Sequence, residues 1–185
     1  MSQKSADLFA PIHTATNAHR RQHGCGAYPY ENGPLLGTLA AAVGARRVLE
    51  LGTALGYTAL WFAYGAPQAK VDTVEGDPTH VRLAREHIAT SGFADRVIVR
   101  EGDFAAVLAG LEPGYDVAFF DGFSPSTSVQ MALRHLLRSG GLLISANLTH
   151  SGKDVKAYVA ALMDEQAWLT AFIDDERETA VSVKL

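Results

Sequence analysis

Polar and acidic side chains follow the ends of four apolar runs in this sequence. Glu75, Asp103, Asp121 and Asn147 each stand at or just after such a run. An apolar core rejects these groups, and ligands of open α/β sheets bind beyond the carboxyl ends of the strands. There, Glu75 would accept hydrogen bonds from two ribose hydroxyls. Asp103 would accept one from an exocyclic amine, while the adjacent ring of Phe104 covers a flat base.

A turn with two glycines follows the first apolar run and opens a helix. Gly52 and Gly56 let the backbone turn tightly and approach a ligand, and the free N–H groups of the helix suit a carboxylate or a phosphate. The spacing is G-x-x-x-G, so the second glycine of the dinucleotide pattern G-x-G-x-x-G is missing, and no Gly-Lys-Ser/Thr follows. The sequence therefore disfavours a nicotinamide dinucleotide and excludes a P-loop.

Acidic residues dominate the predicted sheet edge. Glu50, Glu75, Asp103 and Asp121 form a predicted acidic rim, to which the sequence assigns no nearby Lys or Arg. Such a rim favours a cationic nucleoside over a polyphosphate. S-adenosylmethionine is such a molecule, because it carries a ribose, an adenine, a sulfonium cation and a carboxylate for the helix N-terminus. We therefore expect S-adenosylmethionine as the cofactor.

Short apolar runs alternate with stretches of helical spacing, which is typical of a parallel sheet covered by helices on both faces. The predicted strands are 47–51, 71–75, 97–100, 116–121 and 142–146. The predicted helices run from Asn32 to Gly44, from Asp77 to Gly92, from Pro125 to Gly140 and from Asp154 to Gln166. Two extended runs, 168–173 and 179–185, predict a hairpin. The expected fold is α/β: a Rossmann-like, doubly wound, seven-stranded, mostly parallel sheet with a C-terminal antiparallel hairpin.

Length and composition predict the class of protein. The 185 residues are 48% hydrophobic and 19% charged with a formal net charge of −4, as in one globular domain, 1–185. The acidic balance argues against nucleic acid as a partner. No run approaches the ~20 apolar residues of a membrane span, and the N-terminus lacks an apolar signal segment, so we expect a cytoplasmic protein. We expect residues 1–30 to form a helix or a lid. Cys25 stands alone, and we expect no role for it.

Four motifs together resemble one family. VLELGTALGYT at 48–58 is similar to the first motif of the catechol and caffeoyl-CoA O-methyltransferases, which are class I S-adenosylmethionine-dependent methyltransferases. NGPLL at 32–36, TVEGDP at 73–78 and LLRSGGLL at 136–143 resemble that family's helix before the first motif, its ribose strand and its turn before the fifth strand. The resemblance extends along nearly the whole chain and includes the terminal hairpin.

The resemblance implies a role for each matching residue. Glu75 would hold the ribose, and Asp103 and Phe104 would lie beside the adenine. The rest of the cofactor would be surrounded by residues of the first motif and of the fourth strand end: Glu50, Gly52, Gly56, Tyr57, Thr58 and Asp121. Asp121 would lie beside the transferred methyl group and would also bind a divalent metal, Mg²⁺, with Asn147 as a second ligand.

Two positions depart from the family pattern. The family reads Asp-Asn at the end of the fifth strand, where this chain has Ala146 and Asn147, and its usual general-base lysine is Ser124 here. One carboxylate and one amide hold Mg²⁺ weakly, because this ion binds mainly through anionic oxygen. We therefore expect little dependence on a metal. His150, in the loop after the fifth strand, is the candidate general base.

The sequence thus predicts a methyltransferase that acts on an oxygen of a small molecule, with Asp121 and His150 as catalytic residues. His80 and His87 are expected on a helix, at the surface or half-buried, without a role. An S-adenosylmethionine-binding protein without catalysis is one alternative, and a nicotinamide-dependent oxidoreductase is another. A third is a methyltransferase that acts on nitrogen, protein or RNA. The resemblance also implies a homodimer.

Overall fold

The computed structural model describes residues 7–123, 125–174 and 176–185. The strands in these residues are β1 Arg47–Leu51, β2 Lys70–Glu75, β3 Val97–Glu101, β4 Tyr115–Phe120, β5 Leu137–Ser145, β6 Trp168–Phe172 and β7 Ala180–Lys184. The helices are α1 Ala10–His23, α2 Gly33–Ala42, α3 Tyr57–Gly65, α4 Pro78–Thr90, α5 Phe104–Leu108, α6 Thr127–Leu136 and α7 Lys153–Leu162. None of these helices is long and apolar enough to cross a membrane.

The seven strands form one sheet in the order β3-β2-β1-β4-β5-β7-β6. The first five strands are parallel, and β7 runs antiparallel to both β5 and β6. This arrangement confirms the predicted fold. The direction of winding reverses between β1 and β4, and the loops that leave these two neighbouring strands diverge there. Ligands of doubly wound sheets bind at this reversal.

Local signals set the helix ends near the sheet edge. The Asn32 side chain accepts a hydrogen bond from the Leu35 amide at 3.3 Å, and the Asp77 side chain accepts from Thr79 and His80 at 2.7 and 3.1 Å. Side-chain caps of this kind satisfy amides that have no partner inside the helix. The predicted starts of α2 and α4 are confirmed.

Strand β5 begins earlier than predicted. Leu137 already pairs with Tyr115, and the register shifts between Tyr115 and Val117 before regular pairing resumes. Arg138 is held in this extended segment by an ion pair with Asp116, at 2.7 Å between Nε and Oδ1. Residues 137–139 were predicted as the end of a helix. They belong to the sheet instead, because this segment pairs irregularly with β4.

Helices cover both faces of the sheet. Val48 and Phe119 lie in one buried apolar cluster, while their chain neighbours Leu49 and Phe120 lie in the other. Since successive side chains of a strand point to opposite faces, β1 and β4 are buried on both sides. The side chains at their carboxyl ends are therefore held on a rigid base.

The N-terminal segment is docked onto the sheet edge. Phe9 packs edge-on against Trp61 with ring centroids 5.2 Å apart, and the Tyr57 hydroxyl donates to Asp7 at 2.8 Å. Helix α1 ends at Gly24, whose left-handed backbone turns the chain back. Of the segment 1–30, for which a helix or a lid is expected, residues Ala10–His23 form a helix, and residues 1–6 lie outside the described ranges.

Candidate active site

The glycine loop after β1 lies directly against the end of β4. Gly52 has φ +105°, and a Cβ atom there would lie 2.8 Å from the carbonyl oxygen of Asp121. Gly56, with φ +95°, forms the N-cap of α3. Only glycine adopts these angles without strain, so both residues are needed for the loop to pass this close to Asp121.

Glu75 is fixed at the end of β2 by two backbone amides. Its Oε2 accepts from Ala54 at 2.9 Å, and its Oε1 accepts from Asp77 at 2.9 Å. His80 lies beside it, with Nδ1 3.7 Å from Oε1. Each carboxylate oxygen has a further lone pair, so Glu75 can still accept hydrogen bonds from a ligand.

Two cavities open at this edge of the sheet. The first, of about 370 Å³, is lined on the sheet side by Gly52, Ala54, Glu75, Asp77, His80, Phe104, Asp121 and Gly122, and on the N-terminal side by Cys25–Tyr28 with Phe123. The second, of about 460 Å³, is lined by Gly26, Tyr28, Pro29, Tyr30, Glu31, Asp121, Phe123, Asn147, His150 and Glu178. Both volumes are typical of sites for small ligands.

Asp121 belongs to both cavities. The wall that they share consists of Gly26, Tyr28, Asp121 and Phe123, and of these residues only Asp121 has a carboxyl group. A molecule in the first cavity and a molecule in the second would therefore approach each other across the Asp121 carboxyl group.

Two acidic side chains lie at this point, of which Glu50 is fully buried and Asp121 is half-buried. Glu50 has no exposed surface and accepts a hydrogen bond from the Thr73 hydroxyl. Burial raises the pKa of Glu50 to about 7. Burial and the neighbouring Glu50 raise the pKa of Asp121 well above its ordinary value, against a hydrogen bond from Asn147 that lowers it. Glu50, expected in the acidic rim at the sheet edge, is therefore enclosed by the protein, because helices cover both faces of β1.

A third space lies between the glycine loop and the N-terminal segment. It measures only about 10 Å³, with Tyr28, Pro29 and Tyr30 opposite Gly52–Leu55, which is room for about one water molecule. Tyr57 and Thr58, predicted around the methionine part of the cofactor, line it too and are buried at 3% and 4% exposure. A ligand that contacts Tyr57 and Thr58 through this space must displace the 28–30 segment, whereas Gly52 and Ala54 are already open to the first cavity.

The side chains at Asp121 and Asn147 do not fit a Mg²⁺ site. The Asn147 amide nitrogen donates to Asp121 Oδ1 at 3.0 Å and to the Gly122 carbonyl at 3.3 Å, so the amide presents its donor to the aspartate. Ala146 offers only a buried methyl group. Mg²⁺ requires octahedral oxygen ligands, and these residues supply one carboxylate. Ser124, which stands where the family has its lysine, lies outside the described residues.

The structure places the other candidates as follows. Phe104 lines the first cavity, whereas Asp103 caps α5 through Oδ1 and is not a lining residue. His150 is exposed and lines the second cavity, with its ring centroid 6.3 Å from that of Phe123. Their roles stay predictions.

Two contributors to the cavities were missed by sequence reasoning. His80 is buried at 6% exposure and lines the first cavity with Cys25, although both were expected to have no role. Tyr28 belongs to both cavities. For His80 a signal existed, because the Asp77 cap places it in the first turn of a helix that begins just after Glu75.

The strand order, the antiparallel β7 and the paired cavities at the reversal point define a class of protein, that of the Rossmann-like methyltransferase fold. Residues 2–180 match the model of the O-methyltransferase family. The chain belongs to this family.

Known proteins that resemble the chain agree with this membership. A catechol O-methyltransferase of Mycobacterium tuberculosis is 38% identical over 126 residues, which are 66% of this chain and 57% of that protein. One from Niastella koreensis is 35% identical over 128 residues, 65% and 58% of the two chains. The chain thus spans less than three fifths of these relatives. The cofactor-bound crystal structure of Rv0187 from MTB superposes with TM-score 0.80 at 26% identity and covers 94% of this chain and 89% of that one.

Proposed function

We propose that this chain is an S-adenosylmethionine-dependent methyltransferase that transfers a methyl group to a hydroxyl oxygen of a small aromatic molecule. The observation that carries the proposal is the position of Asp121 in the wall shared by the two cavities. A methyl donor in the first cavity and an acceptor in the second would meet at this wall. Positioning of this kind supplies much of the rate of an in-line transfer.

The first cavity suits the chemistry of this cofactor. Glu75 has free lone pairs for ribose hydroxyls, and Phe104 offers a ring for the base. Oε1 of the buried Glu50 has no hydrogen-bond partner among the described residues. A nearby positive charge favours the ionised forms of Glu50 and Asp121, which burial disfavours. The cofactor, when bound, supplies an electrophilic methyl group on a cationic sulfonium.

The second cavity suits a flat acceptor without negative charge. Tyr28, Tyr30 and Phe123 provide aromatic surface, while Glu31 and Glu178 add carboxylates. The described residues that line this cavity include no Lys and no Arg. We therefore propose a neutral or cationic aromatic hydroxyl compound as the acceptor, and the acidic lining disfavours a polyanionic coenzyme A ester.

His150 is the proposed acceptor of the hydroxyl proton. Its imidazole lines the second cavity and is exposed to solvent, so the proton can pass on to water. An imidazole is a common general base in catalysis. Asp121, held by Asn147 at 3.0 Å, would orient the acceptor hydroxyl toward the methyl group.

Calorimetry tests the cofactor. S-adenosylhomocysteine is expected to bind, whereas NAD and ATP are not. Glu75→Ala is expected to weaken binding by about 1–3 kcal/mol, the cost of leaving ribose hydroxyls without their charged acceptor. Glu86→Gln, on the exposed face of α4, is the matched control. Unchanged affinity of Glu75→Ala would contradict the ribose assignment.

A transfer assay tests the reaction. Labelled S-adenosylmethionine is incubated with a panel of catechols, other phenols and their amine and carboxylate derivatives, and the products are identified. O-methylated neutral or amine-bearing products are expected. Cofactor binding without transfer to any acceptor would favour a binding protein without catalysis. Ala146 supports this alternative, because it has a methyl group at the family's metal position.

Three further expectations stay predictions. They are a cytoplasmic location, the absence of a nucleic-acid partner and a homodimer. Size-exclusion chromatography with light scattering measures the last directly.

A further inference from the structure

Three metal-ligating side chains from different segments converge at the rim of the first cavity. His19 lies on α1, Cys25 follows the end of α1, and His80 lies in the first turn of α4. One ligand atom from each residue lies within 4.8 Å of the other two. Among the described His, Cys, Asp and Glu residues, this is the one set of three that comes so close. We propose that His19, Cys25 and His80 bind a transition-metal ion, for which Zn²⁺ is the best match.

The donor set determines the kind of ion. Two imidazoles and a thiolate are the ligands that Zn²⁺ and similar borderline ions prefer, whereas Mg²⁺ and Ca²⁺ require oxygen. With Zn–N and Zn–S bonds of about 2.0–2.3 Å, tetrahedral ligand atoms lie roughly 3.3–3.8 Å apart. The three side chains must therefore close by about 1 Å from their present separation. His19 and Cys25 are only half-buried, so their side chains have room to make this movement.

The backbone brings Cys25 back toward His19. Gly24 adopts φ +62°, and its amide donates to the Arg20 carbonyl at 2.8 Å. This left-handed residue ends the helix and reverses the chain. Cys25 therefore lies beside the last turns of α1 instead of continuing away from them.

Glu75 and Asp77 fix the position and the ring orientation of His80. Its Nδ1 faces Glu75 Oε1 at 3.7 Å, and its backbone amide donates to Asp77 Oδ1 at 3.1 Å. Metal-bound histidines commonly direct their second nitrogen toward a carboxylate, which fixes the ring and increases its basicity. With Nδ1 toward Glu75, Nε2 is left for an ion.

The local charges also suit a divalent cation. The His19 ring lies 5.2 Å from the His80 ring and 4.4 Å from the His23 ring. Three imidazole groups thus lie close together at this rim, and a metal ion binds the neutral form of imidazole. The Cys25 thiolate cancels one positive charge of the ion, and the carboxylates of Glu75 and Asp77 lie close to the site. An ion here would join the N-terminal segment to α4 at the rim of the first cavity.

Cobalt spectroscopy and zinc titration test the site on the full, untagged chain in a thiol-free reducing buffer. One Co²⁺ per chain is expected, with the visible bands of tetrahedral coordination and a thiolate-to-cobalt charge-transfer band, and Zn²⁺ should displace it. Cys25→Ser is expected to abolish the charge-transfer band. Cys25→Ser, His19→Gln and His80→Gln should each weaken Zn²⁺ binding at least tenfold.

Two controls separate this site from others. His135→Gln, an exposed histidine on α6, and Asp121→Asn, at the family's metal position, should leave Zn²⁺ affinity within twofold. His19→Gln keeps the test valid if either of the other ligand variants fails to fold. Zn²⁺ affinity that is unchanged in both His19→Gln and Cys25→Ser, or a cobalt spectrum without the charge-transfer band, would overturn the proposal. These measurements need no methyl transfer, so failure of the proposed enzymatic activity leaves them intact.

Discussion

Glu50 gives a quantitative test of how burial shapes the site. Its carboxyl group has no exposed surface and a pKa of about 7 in the folded chain, against an ordinary value of 4.5. Because one pKa step is worth about 1.4 kcal/mol, this difference corresponds to about 3 kcal/mol. The folded state holds the proton more tightly than the unfolded state does. The stability that Glu50 contributes is therefore complete below pH 4.5 and is lost as the pH rises through 7.

The variant Glu50→Gln removes this titration and keeps the shape of the side chain. Without ligand, the variant and the natural protein should have similar free energies of unfolding at pH 4.5. At pH 8 the variant should be more stable by up to about 3 kcal/mol. Urea unfolding followed by circular dichroism at several pH values measures both quantities. Glu165→Gln, at an exposed position before β6, is the control and should reproduce the pH dependence of the natural protein.

One result would refute this reasoning. If the natural protein and Glu50→Gln lose stability in parallel between pH 4.5 and 8, Glu50 does not titrate in this range. The carboxyl group would then be ionised while buried, and a partner other than Thr58 and Thr73 would have to stabilise it.

Three other substitutions probe the same edge of the sheet. Gly52→Ala should lower the free energy of unfolding by about 1–3 kcal/mol and abolish cofactor binding. The cause is that φ is +105° and the new Cβ would lie 2.8 Å from the Asp121 carbonyl oxygen. Urea unfolding identical to that of the natural protein would contradict this. Asp121→Asn should keep or increase thermal stability, since the amide cannot ionise at a position that disfavours the charged carboxylate, yet lower turnover at least tenfold, and an unfolded variant would favour a purely structural role. Turnover of the natural protein should be indifferent to EDTA, while Ala146→Asp should gain a Mg²⁺-dependent increase in melting temperature. Activity that EDTA abolishes and Mg²⁺ restores would refute this last expectation.

The sequence by itself determined the elements and most of the cofactor edge. Side-chain caps such as Asn32 and Asp77 are local signals, and the apolar runs of β1, β2 and β4 are long enough to identify buried strands. Parallel strands place their carboxyl ends at one edge, so the sequence sufficed to predict Glu75, Phe104 and Asp121 there.

Only the tertiary structure decided which side chains meet and which are covered. The sequence places Glu50 near a strand end, but whether its face is open depends on the helices that pack over it. His80 is about sixty residues from His19 and Cys25 along the chain. The three residues converge because α1 packs beside α4. Tyr28 likewise joins the two cavities only after the N-terminal segment folds over the edge. Such contacts depend on packing between distant segments, and local periodicity carries no record of that packing.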